Sequence, residues 1–254
     1  KDARIRLLLS LSANLKVTDW LTLQARGNLD YSADKLRQKF YASTATALCG
    51  MNGRYIEMDY QETQMYGDVM AMVKKQLNDF TLDVAIGGSI NDRITNSTRI
   101  DSKNASLKYA NVFNLANIVM SSSASIDQKI DAHYQLQSVF ATAQIGYKEG
   151  VFLDLTARND WSSTLAYTKY EKKGFFYPSV GVSFLPDKWV KMPEWVSFSK
   201  LRGAYSIVGN GVPPFITYPV SYVTAGGEIL ASDAAPFAEM KPEMTHSVEL
   251  GMEW

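Results

Sequence analysis

The chain has 254 residues with 26 basic and 26 acidic side chains, so its formal net charge is zero. This balance argues against nucleic acid as a partner, because phosphate binding needs a clustered positive excess. The sequence contains no run of about 18 or more apolar residues, which excludes a membrane-spanning helix. It does not exclude a membrane-spanning β-barrel, whose strands alternate between apolar and polar residues.

Side chains alternate with period two along much of the chain, which predicts β-strands between an apolar and a wet environment. The first predicted strand runs from Ile5 to Val17, and the clearest one follows it, from Trp20 to Tyr31. One face of that second strand carries Leu21, Leu23, Ala25, Gly27, Leu29 and Tyr31. The other face carries Thr22, Gln24, Arg26, Asn28 and Asp30.

Seven further strands complete the prediction, which is therefore an all-β antiparallel meander of about nine strands. The third and fourth are joined by Asn78-Asp79, a dipeptide typical of two-residue hairpin turns. The seven strands are predicted at 65–77, 80–90, 135–147, 151–160, 176–185, 200–207 and 246–254.

The predicted connections between strands fall into short turns and long loops. Short turns lie around Thr18-Asp19, Asn78-Asp79 and Glu149-Gly150, and a wider turn spans 186–194. Long loops are predicted at Ser32–Gln64, Asn91–Tyr134 and Gly211–Glu243, with one of middling length at Trp161–Gly174. Transmembrane barrels have short periplasmic turns and long extracellular loops, so this pattern predicts a location in the bacterial outer membrane.

Strand length and strand number refine this prediction. Many predicted strands have about eleven residues, which suits a tilted bilayer crossing better than a soluble sandwich. Nine is an odd number, whereas bacterial single-chain barrels have even numbers of strands. A strand at each end of the chain would also leave a bare sheet edge in hydrocarbon. We therefore expect the natural polypeptide to continue on both sides of this barrel piece.

Four segments carry a family resemblance, strongest over 135–254. They read FLDLTARNDWSSTL (152–165), FFYPSVGVSF (175–184), VSFSKLRGAYSIVGN (196–210) and MKPEMTHSVELG (240–251). Together they resemble the barrel domain of SusC/RagA-like TonB-dependent outer-membrane transporters. The resemblance implies a 22-stranded barrel, closed by a plug domain and opened through TonB.

The resemblance also implies partners and cargo. Such transporters import oligosaccharides or peptides, usually beneath a SusD-like surface lipoprotein. The sequence shows no candidate plug, TonB-contacting segment or carboxypeptidase-like extension. Residues 1–254 are therefore expected to be barrel domain only, with membrane lipid around it. The alternative is an outer-membrane barrel for adhesion or anchoring, without transport.

The polar faces of the strands predict a charged wall that lines the barrel lumen. Mixed signs favour pairing within the wall and contact with a plug over an ion-selective pore. The wall residues are Arg26, Asp30, Asp83, Asp154, Arg158, Lys200 and Arg202, joined by Arg6, Lys16, Glu249 and Glu253.

Asp160 and Trp161 end the sixth predicted strand where it emerges into an extracellular loop. In one interpretation Trp161 stacks on a sugar ring and Asp160 binds its hydroxyls. In the other, which the aromatic girdles of barrels favour, Trp161 is an interfacial aromatic beside a turn.

No catalytic, metal-binding or cofactor-binding pattern is present in the sequence. His133, predicted in a loop, and His246, predicted at the membrane interface, are the only histidines, and neither belongs to a GxSxG or HExxH string. Cys49 is the single cysteine and is expected to be an incidental loop thiol. We therefore expect neither an enzyme nor a cofactor.

Overall fold

The computed structural model describes residues 2–103, 107–119, 125–218, 220–223, 227–232 and 235–254. Parts of the predicted loops at 91–134 and 211–243 lie outside these residues. The described strands are β1 Asp2–Lys16, β2 Leu21–Phe40, β3 Arg54–Leu77, β4 Phe80–Asp101, β5 Ser125–Tyr147, β6 Val151–Ser162, β7 Phe175–Phe184, β8 Lys200–Asn210, β9 Tyr222–Val223, β10 Ile229–Leu230 and β11 Glu243–Glu253.

Nine of these strands form one antiparallel sheet in the order β1-β2-β3-β4-β5-β6-β7-β8-β11. Strands β9 and β10 pair separately, within the connection between β8 and β11. Three single-turn 3₁₀ helices lie between described strands: 115–117, 163–165 and 186–188. Within the described stretches, no helix is long and apolar enough to cross a membrane. The predicted all-β meander is thus confirmed.

The register gives the sheet one apolar and one polar face. Leu9 pairs with Leu29 and Leu29 with Met65, so apolar residues continue across strands on the same side. Further along, Ile86 pairs with Ala141, which pairs with Ala157. In the isolated sheet Leu9, Met65 and Ile86 are each more than half exposed, as are many other apolar side chains of this face. A wide apolar face of this kind is what hydrocarbon lipid covers.

The apolar band on β2 runs from Leu21 at its lower end to Tyr31 at its upper end. Beyond Tyr31 the same face of the strand carries Lys35 and Arg37. At about 3.3 Å per residue and a tilt of about 40°, this run spans a height of about 25 Å. That height matches the apolar band of outer-membrane barrels.

Aromatic rings mark the short-turn end of the sheet. Phe80 and Tyr147 lie 4.8 Å apart by ring centroids, and Tyr147 and Trp189 lie 5.6 Å apart. The ammonium of Lys75 lies 5.9 Å from the ring centroid of Trp20. Rings with polar edges collect where hydrocarbon meets headgroups, so the short-turn end marks one boundary of the band.

The boundaries predicted for two loops are wrong. β2 and β3 extend well into the predicted loop Ser32–Gln64, and β4 and β5 extend into Asn91–Tyr134. His133, predicted in that loop, therefore lies in β5. Strands β2 to β5 have 20, 24, 22 and 23 residues and project far beyond the bilayer. Above the membrane both faces meet water, so the apolar–polar contrast that marks a strand is lost.

The tight turns lie where the sequence predicts them. Asn78 adopts a left-handed backbone (φ 53°) between β3 and β4. Lys148 (φ 48°) and Glu149 (φ 51°) do the same between β5 and β6. Asn and polar residues tolerate this conformation better than β-branched ones, which explains why such short connections form.

Candidate functional site

Paired charges cover the polar face of the first four strands. Arg26 of β2 lies opposite Asp68 of β3, with Nη2 3.0 Å from Oδ2, and the Asp68 side chain is fully buried. Arg6 donates to Asp30 at 2.6 Å, and the ammonium of Lys74 lies 2.8 Å from Asp83. These pairs make a hydrophilic wall without a large excess of one sign.

The wall continues through the later strands. Gln144 donates to Asp154 at 2.7 Å. Arg158 donates to Asp160 at 2.7 Å and to the hydroxyl of Ser138 at 2.8 Å. Further on, Arg202 lies 3.9 Å from Glu253, and Lys200 pairs with Glu253 in the strand register. The predicted wall residues of β2 to β8 thus share one face of the sheet.

Asp160 and Trp161 point to opposite faces. Asp160 pairs in register with Ser138 and is hydrogen-bonded within the polar face. Trp161 pairs with Gln137, which pairs with Ile90 on the apolar face, and its exposure is 38%. The two side chains therefore do not converge on one ligand from one side of the sheet. Their role in substrate contact stays a prediction, and the position of Trp161 favours the interfacial interpretation.

The principal buried cluster of the described residues lies outside the membrane band. We call it the rim cluster: Tyr55, Leu107 and Ile118, each at most 4% exposed, with Ile100 and Phe113 packed against them. It fills the space between the upper ends of β3 and β4 and the loops at 41–53 and 107–119. Cys49 lies in a loop, as predicted, but its thiol is buried and lies 3.6 Å from the Tyr41 carbonyl oxygen.

Asp101, at the upper end of β4, accepts several hydrogen bonds next to the rim cluster. Its carboxylate accepts two hydrogen bonds from Arg54 (2.8 and 2.7 Å), one from Arg99 (2.8 Å) and one from the Lys103 N–H (2.8 Å). Arg54 also donates to the Leu48 carbonyl at 3.1 Å, so one ion pair links the strands to the loop that carries Cys49. Bidentate pairs of this kind are strong and geometrically specific.

The carboxylates of this region titrate at unusually low pH. Burial alone would raise the pKa of Asp101, but the hydrogen bonds from Arg54 and Lys103 and the nearby charge of Arg99 hold it below its ordinary range. Hydrogen bonds from Arg37 and Tyr55 likewise lower the pKa of Glu57. In both cases the interactions stabilise the charged form in the folded state.

This predicts an acid-sensitive rim. A carboxylate whose folded pKa is lowered contributes stability that is present above its unfolded pKa and is lost as pH falls through the folded value. We expect Cys49 to become accessible as the pH falls below about 4. Peptide-level mass spectrometry after labelling with 4,4′-dithiodipyridine, which reacts with thiols in acid, measures this. Constant Cys49 labelling from pH 7 to 3 would contradict it, and thermally unfolded protein is the control.

Comparison with known proteins identifies the barrel. A model of the family described as "TonB dependent receptor-like, beta-barrel" matches residues 1–254. This chain belongs to that family. Proteins with this barrel reside in the bacterial outer membrane, so the short-turn end faces the periplasm and the rim cluster faces outward. A comparison with curated protein sequences gave no significant match.

Solved TonB-dependent barrels share the fold. The structure of the RagAB peptide transporter superposes on this chain with a TM-score of 0.82 and 18% sequence identity. The match covers 99% of this chain and 28% of that one. The siderophore receptor PiuA from Acinetobacter baumannii superposes with a TM-score of 0.58 at 12% identity, over 100% of this chain and 38% of that one. The chain thus spans less than two fifths of the length of either protein. Membership of the TonB-dependent barrel family is thus confirmed, and the predicted likeness to RagA-type barrels is confirmed for the fold.

Proposed function

We propose that this chain forms part of the wall of an importer that carries a bulky nutrient, an oligosaccharide or a peptide, across the outer membrane. The observation that supports it is the two-faced sheet: an apolar band of bilayer height on one side and a wall of paired charges on the other. The charged face would line the lumen, where water and a plug solvate it. An adhesin or anchor has no need of such a lumen.

The remaining parts of the importer are proposals of the same kind. The plug and the TonB-contacting segment would be supplied outside residues 1–254. The upper loops would meet the substrate and a SusD-like surface lipoprotein that covers the barrel. The lipoprotein is supported by the SusC/RagA-like resemblance of the sequence, together with the likeness of this sheet to RagAB, a peptide transporter.

The test is energy-dependent uptake by the full-length protein. Cells that produce it are given fluorescent oligosaccharides or peptides, with and without a protonophore. We expect Arg202→Glu, which places a carboxylate beside Glu253 on the polar face, to lower uptake about tenfold. The amount of folded barrel should not change, because this face does not meet lipid.

Lys188→Glu is the matched control, because Lys188 is exposed in the periplasmic turn rather than on the polar face. Its uptake should equal that of the unchanged protein. Failed insertion of Arg202→Glu with normal uptake per folded barrel would contradict the assignment of the polar face to the lumen. Uptake that persists with the protonophore would contradict a TonB-dependent importer.

A further inference from the structure

Two extracellular loops pack together above β6, β7 and β8. The loop after β6 contains the buried residues Thr164 and Leu165, and the loop after β8 contains Thr217, which is 4% exposed. The Thr217 hydroxyl lies 3.4 Å from the Thr164 carbonyl oxygen and donates a hydrogen bond to the Ala166 carbonyl at 3.0 Å.

Both loops also bind the segment around Ala238 through their backbone. The Phe237 N–H donates to the Thr217 carbonyl, and the Lys169 N–H donates to the Ala238 carbonyl, each at 3.1 Å. We call residues 163–174 and 211–218 the loop pair.

Each loop of the pair holds one aromatic residue in a left-handed backbone. Tyr167 has φ 65° and Phe215 has φ 63°. A bulky residue at such angles is an outlier that carries backbone strain. Burial does not offset this strain at Tyr167, whose side chain is 69% exposed. Strain that packing does not repay is concentrated at binding and catalytic sites.

The turn around Tyr167 is fixed by its neighbours. Thr168 is buried, donates from its hydroxyl to the Leu165 carbonyl at 2.7 Å and accepts from the Tyr170 N–H at 3.1 Å. The Tyr167 N–H donates to Glu171 at 3.3 Å. The backbone therefore presents the Tyr167 ring outward in one direction instead of letting it collapse onto the sheet.

The exposed ring has a partner on the other loop. The ring centroids of Tyr167 and Tyr218 lie 4.7 Å apart with an interplanar angle of 36°, and Tyr218 is 49% exposed. Each ring covers part of the other, and the remaining surface faces water. The result is a small aromatic platform with phenolic hydroxyls, held above the barrel by the loop pair.

We propose that the Tyr167–Tyr218 platform stacks against a sugar ring of a neutral oligosaccharide. The C–H faces of pyranoses are flat and apolar and fit an aromatic face, while their rims carry hydroxyls that phenol groups can hydrogen-bond. The charged groups around the platform already have partners: Lys169 forms an ion pair with Glu239, and Glu171 accepts the Tyr167 N–H. An uncharged ligand with many hydroxyls suits this setting better than a charged one.

A peptide is the less suited ligand at this point. In one common mode of peptide recognition, the peptide backbone pairs with a sheet edge and pockets accept alternate side chains. The platform offers ring faces and hydroxyls instead. This assignment rests on the proposed importer, because it names the class of substrate that the barrel would take.

The test measures binding to the purified full-length protein in detergent, so it does not depend on uptake. The probes are maltohexaose, cellohexaose, xylohexaose and mannohexaose, and isothermal titration calorimetry measures their binding. We expect at least one of these sugars to bind. Tyr167→Gly and Tyr218→Ala should each lower the affinity for that sugar about tenfold. Tyr167→Gly is decisive, because it relieves the backbone strain while it removes the ring: thermal stability should hold or rise as binding falls. Tyr167→Phe should keep most of the affinity.

Tyr109→Ala is the matched control, since Tyr109 is 71% exposed on a different extracellular loop, between β4 and β5, and should not affect binding. The proposal is overturned if none of the four sugars binds, or if the platform variants bind them as the unchanged protein does. It is also overturned if uncharged decapeptides bind and the variants lose those instead. Sugar binding that the variants lose, in a protein that fails the uptake test, would support the platform and contradict only the importer.

Discussion

Replacing Asp101 by alanine is expected to open the rim cluster while the barrel wall stays folded. The Asp101 side chain is 1% exposed, whereas that of Arg54 is 22% exposed. Removing one partner of a buried ion pair costs about 3–5 kcal/mol, and we expect about 3 because Arg54 keeps some contact with water. Arg54 would then lose the orientation in which it holds the Leu48 carbonyl, and the loop that buries Cys49 would loosen.

The measurement is the labelling rate of the Cys49 thiol in the folded, membrane-inserted protein. If labelling proceeds through local opening, about 3 kcal/mol corresponds to a rate increase of roughly a hundredfold. Asp19→Ala is the control: Asp19 pairs with Lys16 at 2.8 Å, but its side chain is 98% exposed in a periplasmic turn. An unchanged labelling rate in Asp101→Ala would mean that the apolar contacts alone hold the cluster.

Arginine at two adjacent positions of β5 is expected to have opposite consequences. Ala141 lies in the apolar band between Ile86 and Ala157, whereas Thr142 lies on the polar face between Ala85 and Thr156. Arginine on the lipid face near the bilayer centre costs about 2–4 kcal/mol, and a lumen position tolerates it. Ala141→Arg should therefore reduce assembly or urea stability, and Thr142→Arg should not.

Heat-modifiable migration on gels and urea unfolding in vesicles measure both variants side by side. Because the residues are neighbours, local strand propensity and expression level are nearly matched. Equal losses for the two variants would show that crowding, rather than lipid, determines the result. A greater loss for Thr142→Arg would reverse the assignment of the two faces.

The sequence predicts strands best where their two faces meet different environments. Within the bilayer, Leu29 and Asp30 meet lipid and water respectively, so period-two alternation predicts both the strand and its faces. Above it, Asp34 and Lys35 are adjacent and both meet water, and the alternation no longer distinguishes strand from loop. This is why the bilayer segments were predicted well and the extended upper segments were predicted as loops.

A register shift adds a second reason on β5. Thr95 pairs with Ala132 and Asn96 with Ile130, so Asp131 is an extra residue that bulges from the ladder. A bulge reverses which residues face each side, and a single alternation cannot continue through it. Alternation alone predicts that Arg26 and Asp30 share one face of β2, whereas it does not predict their partners on neighbouring strands. The strained backbone at Tyr167 has no sequence signature, and neither do the contacts that join its loop to Thr217.

The rim cluster lies apart from the part of the sheet that meets lipid. It lies beyond the hydrocarbon, beside the connection between Phe40 and Arg54 and the segment after Asp101. Substitutions there leave the apolar face within the bilayer unchanged. We therefore expect the segments above these strand ends to be exchangeable between related barrels, with a new outer surface and unchanged membrane insertion.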